Sequence, residues 1–246
     1  WCRVVKSDKD AARALKYARK IGFPLIVKPN SQSQGKGVEK VYSEKALKVA
    51  LAYIFDGIKD KVALVQKIVN GSDYRIVVLD EEVLCVYLRR PLSVLGDGTH
   101  TINELLSLKQ QEFVARGRDT VISLTDPRIA RRLDRNNLRL TSVLKNGEYA
   151  RLLDNANLSS GGESSDVTEA VHQSWKDMAI KLTQDMGLRY CGVDVMTASP
   201  INEKINNYTI IEINSAPGLD YYAQGGNKQK QIVRKLYRKL LTGFIS

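Results

Sequence analysis

The sequence predicts an α+β fold built as two consecutive units, on three observations. Short apolar runs of strand character alternate with amphipathic stretches of helical period along the chain. Tyr74–Leu79 and Val83–Arg89 flank the polar Asp80-Glu81-Glu82, the pattern of an antiparallel hairpin. The pattern up to this hairpin completes one helix-and-strand unit, so the expected division is 1–68 and 69–246.

In the first unit Ser7 can cap a helix that runs to Ile21, with Asp10 three residues on and Ala11, Leu15 and Ala18 marking its apolar face. Gly22 ends that helix, and Pro24–Val27 begins a buried strand that continues into Lys28-Pro29. Asn30–Gly37 is a polar loop. Ser43 opens a second helix through Leu47, Ala50, Leu51 and Ile54, and Val62–Lys67 is a further strand. In the second unit, beyond the hairpin, Thr101 and Glu104 form a capping box ahead of Leu105-Leu106. Residues 107–140 are basic and expected to be helical, and Asp154–Asp166 reads as loop. Thr168–Met186 reads as a long helix carrying Val171, Trp175, Met178 and Leu182, closed by Gly187. Two strands follow, Tyr190–Thr197 and Tyr208–Ser215, then a basic C-terminal helix, Lys228–Leu241, with Ile232, Leu236 and Leu240 on one face.

Composition narrows the class. With 43% hydrophobic and 26% charged residues the chain is neither disordered nor fibrous, and no apolar run is long enough to span a membrane. Cys2, Cys85 and Cys191 are odd in number and widely spaced, which argues against a disulfide framework or a zinc site and for buried thiols in the cytoplasm. The net charge of +11 suits anionic ligands. Nucleic acid is not expected, because no zinc-finger spacing, basic heptad region or aromatic sheet motif accompanies the charge. The chain begins with Trp1, so it is expected to be a segment of a longer protein.

The strongest chemical constellation is Asp194, Glu212 and Asn214. Glu212 and Asn214 are two apart in the apolar strand Ile210-Ile211-Glu212-Ile213-Asn214, so they share a face. Asp194 lies in the similar run Gly192-Val193-Asp194-Val195-Met196. If the two strands pair antiparallel, three oxygen ligands converge. Buried carboxylates are costly unless neutralised, and an oxygen-only set suits Mg²⁺, with Mn²⁺ as an alternative. A single acidic residue would more simply cap a strand end or face solvent. A second feature is Lys28 at a strand end, followed by a loop with Gly35, Lys36 and Gly37, whose backbone can approach phosphate closely. Its spacing fits neither a P-loop nor a dinucleotide fingerprint, and a polar hairpin loop would look the same. Gln66-Lys67-Ile68-Val69 could meet an adenine edge and Asp73 a ribose, though a strand and a turn explain them as well. In Arg89-Arg90-Pro91 an arginine at a strand end suits a carboxylate or phosphate, and Arg90 is the candidate. Asn157, Ser159, Gly161 and Gly162 form a small-residue loop able to close on a substrate. His100 and His172 belong to no triad.

Taken in order, several of these pieces resemble the ATP-grasp superfamily. They are Gly22-Phe-Pro-Leu-Ile-Val-Lys-Pro29, Gly71-Ser-Asp-Tyr-Arg75, Arg90 to Gly98 with Thr101-Ile-Asn-Glu-Leu105, Asn157 to Gly162, Gly192-Val-Asp194 and Ile211-Glu-Ile-Asn-Ser-Ala-Pro-Gly218. The resemblance covers Trp1 to about Leu241 and is greatest to the cyanophycin synthetase type and to the C-terminal region of bifunctional glutathione synthetases. It implies an ATP-grasp fold, two α+β subdomains with ATP gripped between antiparallel sheets. It implies a carboxylate–amine ligase that forms an amide through an acyl phosphate, using ATP and Mg²⁺, with an amino acid or peptide as carboxylate donor. A non-catalytic nucleotide-binding module and an ATP-grasp kinase or thiol ligase are the alternatives. Lys28 and Lys36 would contact phosphates, Gln66–Val69 adenine, and Asp73 ribose. Asp194, Glu212 and Asn214 would hold Mg²⁺, Arg75 and Arg90 would stabilise acyl-phosphate charge, and Asn157–Gly162 would line the acceptor site. Gln66 stands where this family often has Glu, and Gly192 where D-alanine ligase relatives have arginine. The family places a further domain before this core, expected here to be missing. A homo-oligomer is compatible with the resemblance.

Overall fold

The computed structural model describes residues 2–6, 10–32 and 35–242. It divides into two units, Trp1–Val69 and Asn70–Ser246, each with its own core.

Among the described residues of unit 1, four strands form an antiparallel sheet in the order β1-β4-β2-β3. These are β1 (Cys2–Val5), β2 (Leu25–Pro29), β3 (Glu39–Val41) and β4 (Ala63–Lys67). Helices α1 (Ala11–Ile21) and α2 (Glu44–Ala52) cover one face. Alternation places Leu25, Val27, Val41, Ala63 and Val65 in that core, all fully buried. Ser7 lies outside the described residues, and the helix begins at Ala11, later than the sequence suggests. Gly22, at φ 80°, ends α1 by donating its N–H to Ala18 O at 2.8 Å. Ser43 caps α2 by accepting from Ala46 N at 3.2 Å, and a π turn at Tyr53–Gly57 carries the buried Ile54. Strands β1 and β3 are too short to stand out in the sequence.

Unit 2 is built on a second antiparallel sheet, ordered β11-β10-β5-β6-β9 among the described residues. Its strands are β5 (Ser72–Leu79), β6 (Glu82–Arg90), β9 (Glu163–Asp166), β10 (Tyr190–Thr197) and β11 (Tyr208–Asn214). The expected hairpin closes through Asp80, which takes φ 53°, a conformation that Asp tolerates better than most residues. Helix α5 (Gln173–Asp185) packs its buried Trp175 and Ala179 on one face, against Ile76, Val78, Val86, Val193 and Val195. Helices α6 (Asp220–Ala223) and α7 (Asn227–Thr242) pack Tyr222, Val233 and Leu236 on the other, against Val77, Leu79, Cys85 and Tyr87. Asp166 ties this side together by accepting from Tyr222 Oη at 2.8 Å and Gln229 Nε2 at 2.9 Å.

A satellite layer carries β7 (Ser93–Leu95), β8 (Tyr149–Arg151), α3 (Ile102–Ala115) and α4 (Pro127–Arg135). The Thr101–Glu104 capping box is present. Of residues 107–140, expected to be helical, α3 takes those up to Ala115 and α4 takes Pro127–Arg135, with irregular chain between and after them. Gly117, at φ 70°, follows the end of α3, and Asp126 with Pro127 starts α4 afresh. Two further boundaries differ. Glu163–Asp166 pairs with β6 as an edge strand instead of remaining loop. Helix α5 starts at Gln173 instead of Thr168, because Thr168 bonds back to Asp166 and Val86. His172 caps α5, its Nδ1 accepting from Ser174 N at 3.1 Å.

The loop after Lys28 is anchored from below. Asp60 accepts from Ser31 N at 3.0 Å, Ser31 Oγ at 2.6 Å and Val62 N at 3.1 Å. The Ser31 hydroxyl holds this carboxyl below its ordinary range, against the opposing effect of burial. A lowered folded value means that Asp60 stabilises unit 1 fully above the unfolded carboxylate value of about 3.9. That contribution is lost as the pH falls through the folded value. Asp60→Asn should therefore flatten the acid limb of the stability profile below about pH 5, measured by urea unfolding at several pH values.

Candidate functional site

In unit 1, directly opposed residues of an antiparallel pair share a face, so the register Ile26↔Gln66, Ile26↔Lys40 and Lys28↔Leu64 defines the sheet face turned away from the helices. That face carries Ile26 and Leu64 beside the cations Lys28 and Lys40 and the amide of Gln66. Lys40 was not expected. Its only sequence signal is the alternation with buried Val41. Lys36 is exposed in a turn between Gly35 and Gly37, which have φ 73° and 72°. A Cβ on Gly37 would lie 2.5 Å from Ile58 Cδ1 and 3.1 Å from Pro29, so the loop folds too closely for a side chain there. Lys67 is exposed, and Ile68 and Val69 are partly buried where the chain leaves β4.

In unit 2 the expected antiparallel pairing is present. Asp194 opposes Glu212, Gly192 opposes Asn214, and Asp194 opposes Arg75 on its other side. Arg89 opposes Asp73. Asp73, Arg75, Arg89, Asp194, Glu212 and Asn214 therefore share one face of the sheet. A bulge immediately beyond the Asp194↔Glu212 pair breaks the register. Such irregularities re-aim the neighbouring side chain.

The charges on this face are interlocked. Arg75 donates to Asp194 through Nε at 2.6 Å and Nη2 at 2.7 Å, a bidentate pair. Arg89 Nη2 lies 2.6 Å from Asp73 and 2.9 Å from Asp194. Asp194 and Arg89 are 3% and 8% exposed. Burial pushes the Asp73 carboxyl upward and the Asp194 charge adds to this, against the pull of Arg89. From its sequence context, Asp194 is expected to be neutralised by a metal cation. The structure supplies two guanidinium groups instead, and Glu212 is exposed, so burial alone makes no demand for a metal. Among the described residues no three His, Cys, Asp or Glu side chains group as a metal site, and this trio offers two carboxylates and an amide. Asn214 Nδ2 is nevertheless buried without a hydrogen-bond partner. That nitrogen is a donor and no metal ligand, so a hard divalent cation here would be met by the amide Oδ1 together with the carboxylates of Asp194 and Glu212.

Arg90 differs from the expectation. One residue beyond Arg89, it alternates to the opposite face, is exposed, and donates to Ser165 Oγ at 2.7 Å. Arg89 takes its place among the site charges. Gly192 explains the missing arginine of the D-alanine ligase type. A Cβ there would lie 2.9 Å from Pro217 Cβ and 3.4 Å from Arg75 Cδ, so Arg75 and the Pro217 turn occupy that space. Tyr190 Oη fixes the same turn by donating to Pro217 O at 2.6 Å.

Asn157–Gly162 forms a tight turn around a short 3-10 segment, Leu158–Ser160. Gly161 takes φ 93°, and a Cβ on Gly162 would lie 2.8 Å from three carbonyl oxygens. The arginines of α4 are largely paired within the satellite layer, Arg128 with Asp126 and Arg132 and Arg135 with Asp154.

Residues 139–236 match the RimK-like ATP-grasp domain family, and residues 1–94 match the D-ala D-ala ligase C-terminus family. The fold aligns with a bifunctional glutathione synthetase from Pasteurella multocida at a TM-score of 0.57 and 24% identity, over 97% of this chain and 34% of that one. The chain belongs to the ATP-grasp superfamily. This ATP-grasp chain is 32% identical to cyanophycin synthetase of Crocosphaera subtropica over 203 residues, 80% of the chain and 23% of that protein. It is 31% identical to the glutathione biosynthesis bifunctional protein GshAB of Streptococcus agalactiae over 252 residues, 94% of the chain and 32% of that protein. It therefore spans between a quarter and a third, roughly, of the curated relatives it matches. No helix among the described residues is long and apolar enough to cross a membrane.

Removing Arg89 would strand Asp73 and Asp194 with one guanidinium between them. Arg89→Ala is expected to destabilise unit 2 by about 3–5 kcal/mol, read from the shift in its denaturant transition.

Proposed function

We propose that this ATP-grasp domain is the catalytic core of a carboxylate–amine ligase that uses ATP and forms an amide through an acyl phosphate. The observation that carries the reading is the shared sheet face of Asp194, Glu212 and Asn214, next to Arg75, Arg89 and Asp73. The names of the relatives support it. They include a cyanophycin synthetase, a glutathione biosynthesis bifunctional protein and, at a TM-score of 0.50 and 16% identity, a D-alanine–D-alanine ligase from Bacillus anthracis complexed with ATP.

In this reading Lys28 and Lys36, joined by Lys40, neutralise ATP phosphates, and Gln66–Val69 and Asp73 serve adenine and ribose. Mg²⁺, with Mn²⁺ as substitute, would be held by Asp194, Glu212 and Asn214 and would offset charge on the transferring phosphate. A carboxylate oxygen attacks the γ-phosphorus and ADP leaves, giving the acyl phosphate. The amine of the acceptor then attacks the acyl carbon, loses a proton and expels phosphate. No protein nucleophile is needed. The residues act by positioning and by charge, which matches a site rich in guanidinium groups. Arg75 and Arg89 supply the positive field at the reacting phosphate, in place of the pair Arg75 and Arg90. Asn157, Ser159, Gly161 and Gly162 line the acceptor side. An amino acid or peptide is the carboxylate donor. Free, buried Cys85 and Cys191 suit a cytoplasmic setting.

Calorimetry of ATP binding, with and without Mg²⁺, on this chain and on Glu212→Ala tests the assignment. The expected outcome is Mg²⁺-dependent binding that the substitution weakens about tenfold or more. A screen of amino acids and dipeptides for ATP-dependent phosphate release then identifies donor and acceptor. Equal ATP affinity with and without the metal, or with and without Glu212, would contradict the metal assignment.

A further inference from the structure

We infer that Arg118 is a positioning residue for the acceptor loop Asn157–Gly162, an inference that rests on the ligase reading above. Arg118 lies in the irregular segment between α3 and α4, about forty residues from the loop in sequence. Its Nη2 donates to Leu158 O and to Gly162 O, the latter at 2.8 Å. Those two carbonyls bracket the 3-10 turn. Its Nε donates to Thr120 Oγ1 at 3.0 Å, and Thr120 is itself 3% exposed. The guanidinium plane lies 3.9 Å from the Phe113 ring centroid and 5.1 Å from that of Tyr221. Gln224 Nε2 reaches Gly117 O at 3.4 Å, a long contact that joins α6 to the same segment.

Leu158 packs against the core on the α6 and α7 side, and Thr120 Oγ1 donates to its carbonyl at 3.5 Å, a long contact. The loop's own bonds are Ser160 N to Asn157 O, Gly161 N to Leu158 O and Gly162 N to Asn157 O, each 3.1 Å. These close the turn upon itself and do not fix it to the sheet. Arg118 adds a tie from outside that reaches both Leu158 O and Gly162 O. The side chains of Asn157 and Ser159 make no hydrogen bond to other described residues, so the backbone is held while the groups that could meet a substrate stay available. A planar fork is suited to this task, since it can stack on aromatic rings while its in-plane N–H groups reach two carbonyls. An ammonium group cannot do both. Arg118 thus acts through the loop and touches no reacting atom.

The role predicts a split between the two half-reactions. Acyl-phosphate formation depends on the sheet face and ATP, whereas amine attack depends on the loop. The test uses the full-length protein, its Arg118→Met and Arg118→Lys variants, and the donor and amine acceptor that give the highest phosphate release in the screen above. Hydroxylamine serves as a small nucleophile that captures the acyl phosphate without needing the loop. The expected result for Arg118→Met is a KM for the amine acceptor raised about tenfold or more, with hydroxamate formation within about twofold of wild type. Arg118→Lys should fall between the two. An unchanged acceptor KM in Arg118→Met would overturn the inference. So would parallel loss of hydroxamate and amide in both variants, which marks a general structural role. Failure of the wild-type protein to form hydroxamate would instead sink the ligase reading, and the inference with it.

Discussion

Arg75, Arg89, Asp73 and Asp194 sit on strands whose other residues are largely apolar, and each depends on the others for its charge to be tolerable there. Burying any one of them alone would cost several kcal/mol. Together they form an alternating set in which Asp194 is bound by two guanidinium groups and Arg89 by two carboxylates. Such a set fixes the register of three strands, because a shift of one residue would carry every charge to the α5 face and into the apolar packing there. The rest of unit 2 follows from this constraint. The side chains of one face pack against α5, and those of the other are divided between the charged cluster and the contacts with α6 and α7. Gly192 is small because Arg75 and Pro217 need the room.

Unit 1 solves a simpler problem. One face of its sheet is a hydrocarbon core, and the other mixes Ile26 and Leu64 with Lys28, Lys40 and Gln66. This is a surface on which a flat apolar ring and an anionic tail could both be accommodated. Asp60 fixes the start of the loop at Ser31, while Lys36 is exposed. A buried carboxylate at the root and an exposed lysine beyond it suit the phosphate contact proposed for this loop.

Much of this was legible in the sequence, for identifiable reasons. Alternation within Ile210–Asn214 was enough to place Glu212 and Asn214 on one face, because a strand has a period of two, and the antiparallel pairing supposed for the two strands brings Asp194 opposite Glu212. Local cap chemistry gave the starts of α2 and α3, since Ser43 and the Thr101–Glu104 pair act within one turn. The errors lie where distant partners decide. Thr168 reads as helical, yet its hydroxyl bonds to Asp166 and Val86, and Glu163–Asp166 becomes a strand only because β6 offers an edge. Arg90 and Arg89 are adjacent, and composition does not say which alternates inward. The neutralising partners of Asp194 were also invisible, for Arg75 is over a hundred residues away in sequence, a separation of 119. Arg118 was hidden in a stretch whose basic composition suggested helix.

The central claim is that a carboxylate oxygen attacks the γ-phosphorus of ATP. It is tested most directly by running the reaction with a carboxylate labelled in both oxygens with ¹⁸O and analysing the products by mass spectrometry. The account predicts one labelled oxygen in each inorganic phosphate released and none in the nucleotide. Label in AMP, or phosphate released without label, would contradict it.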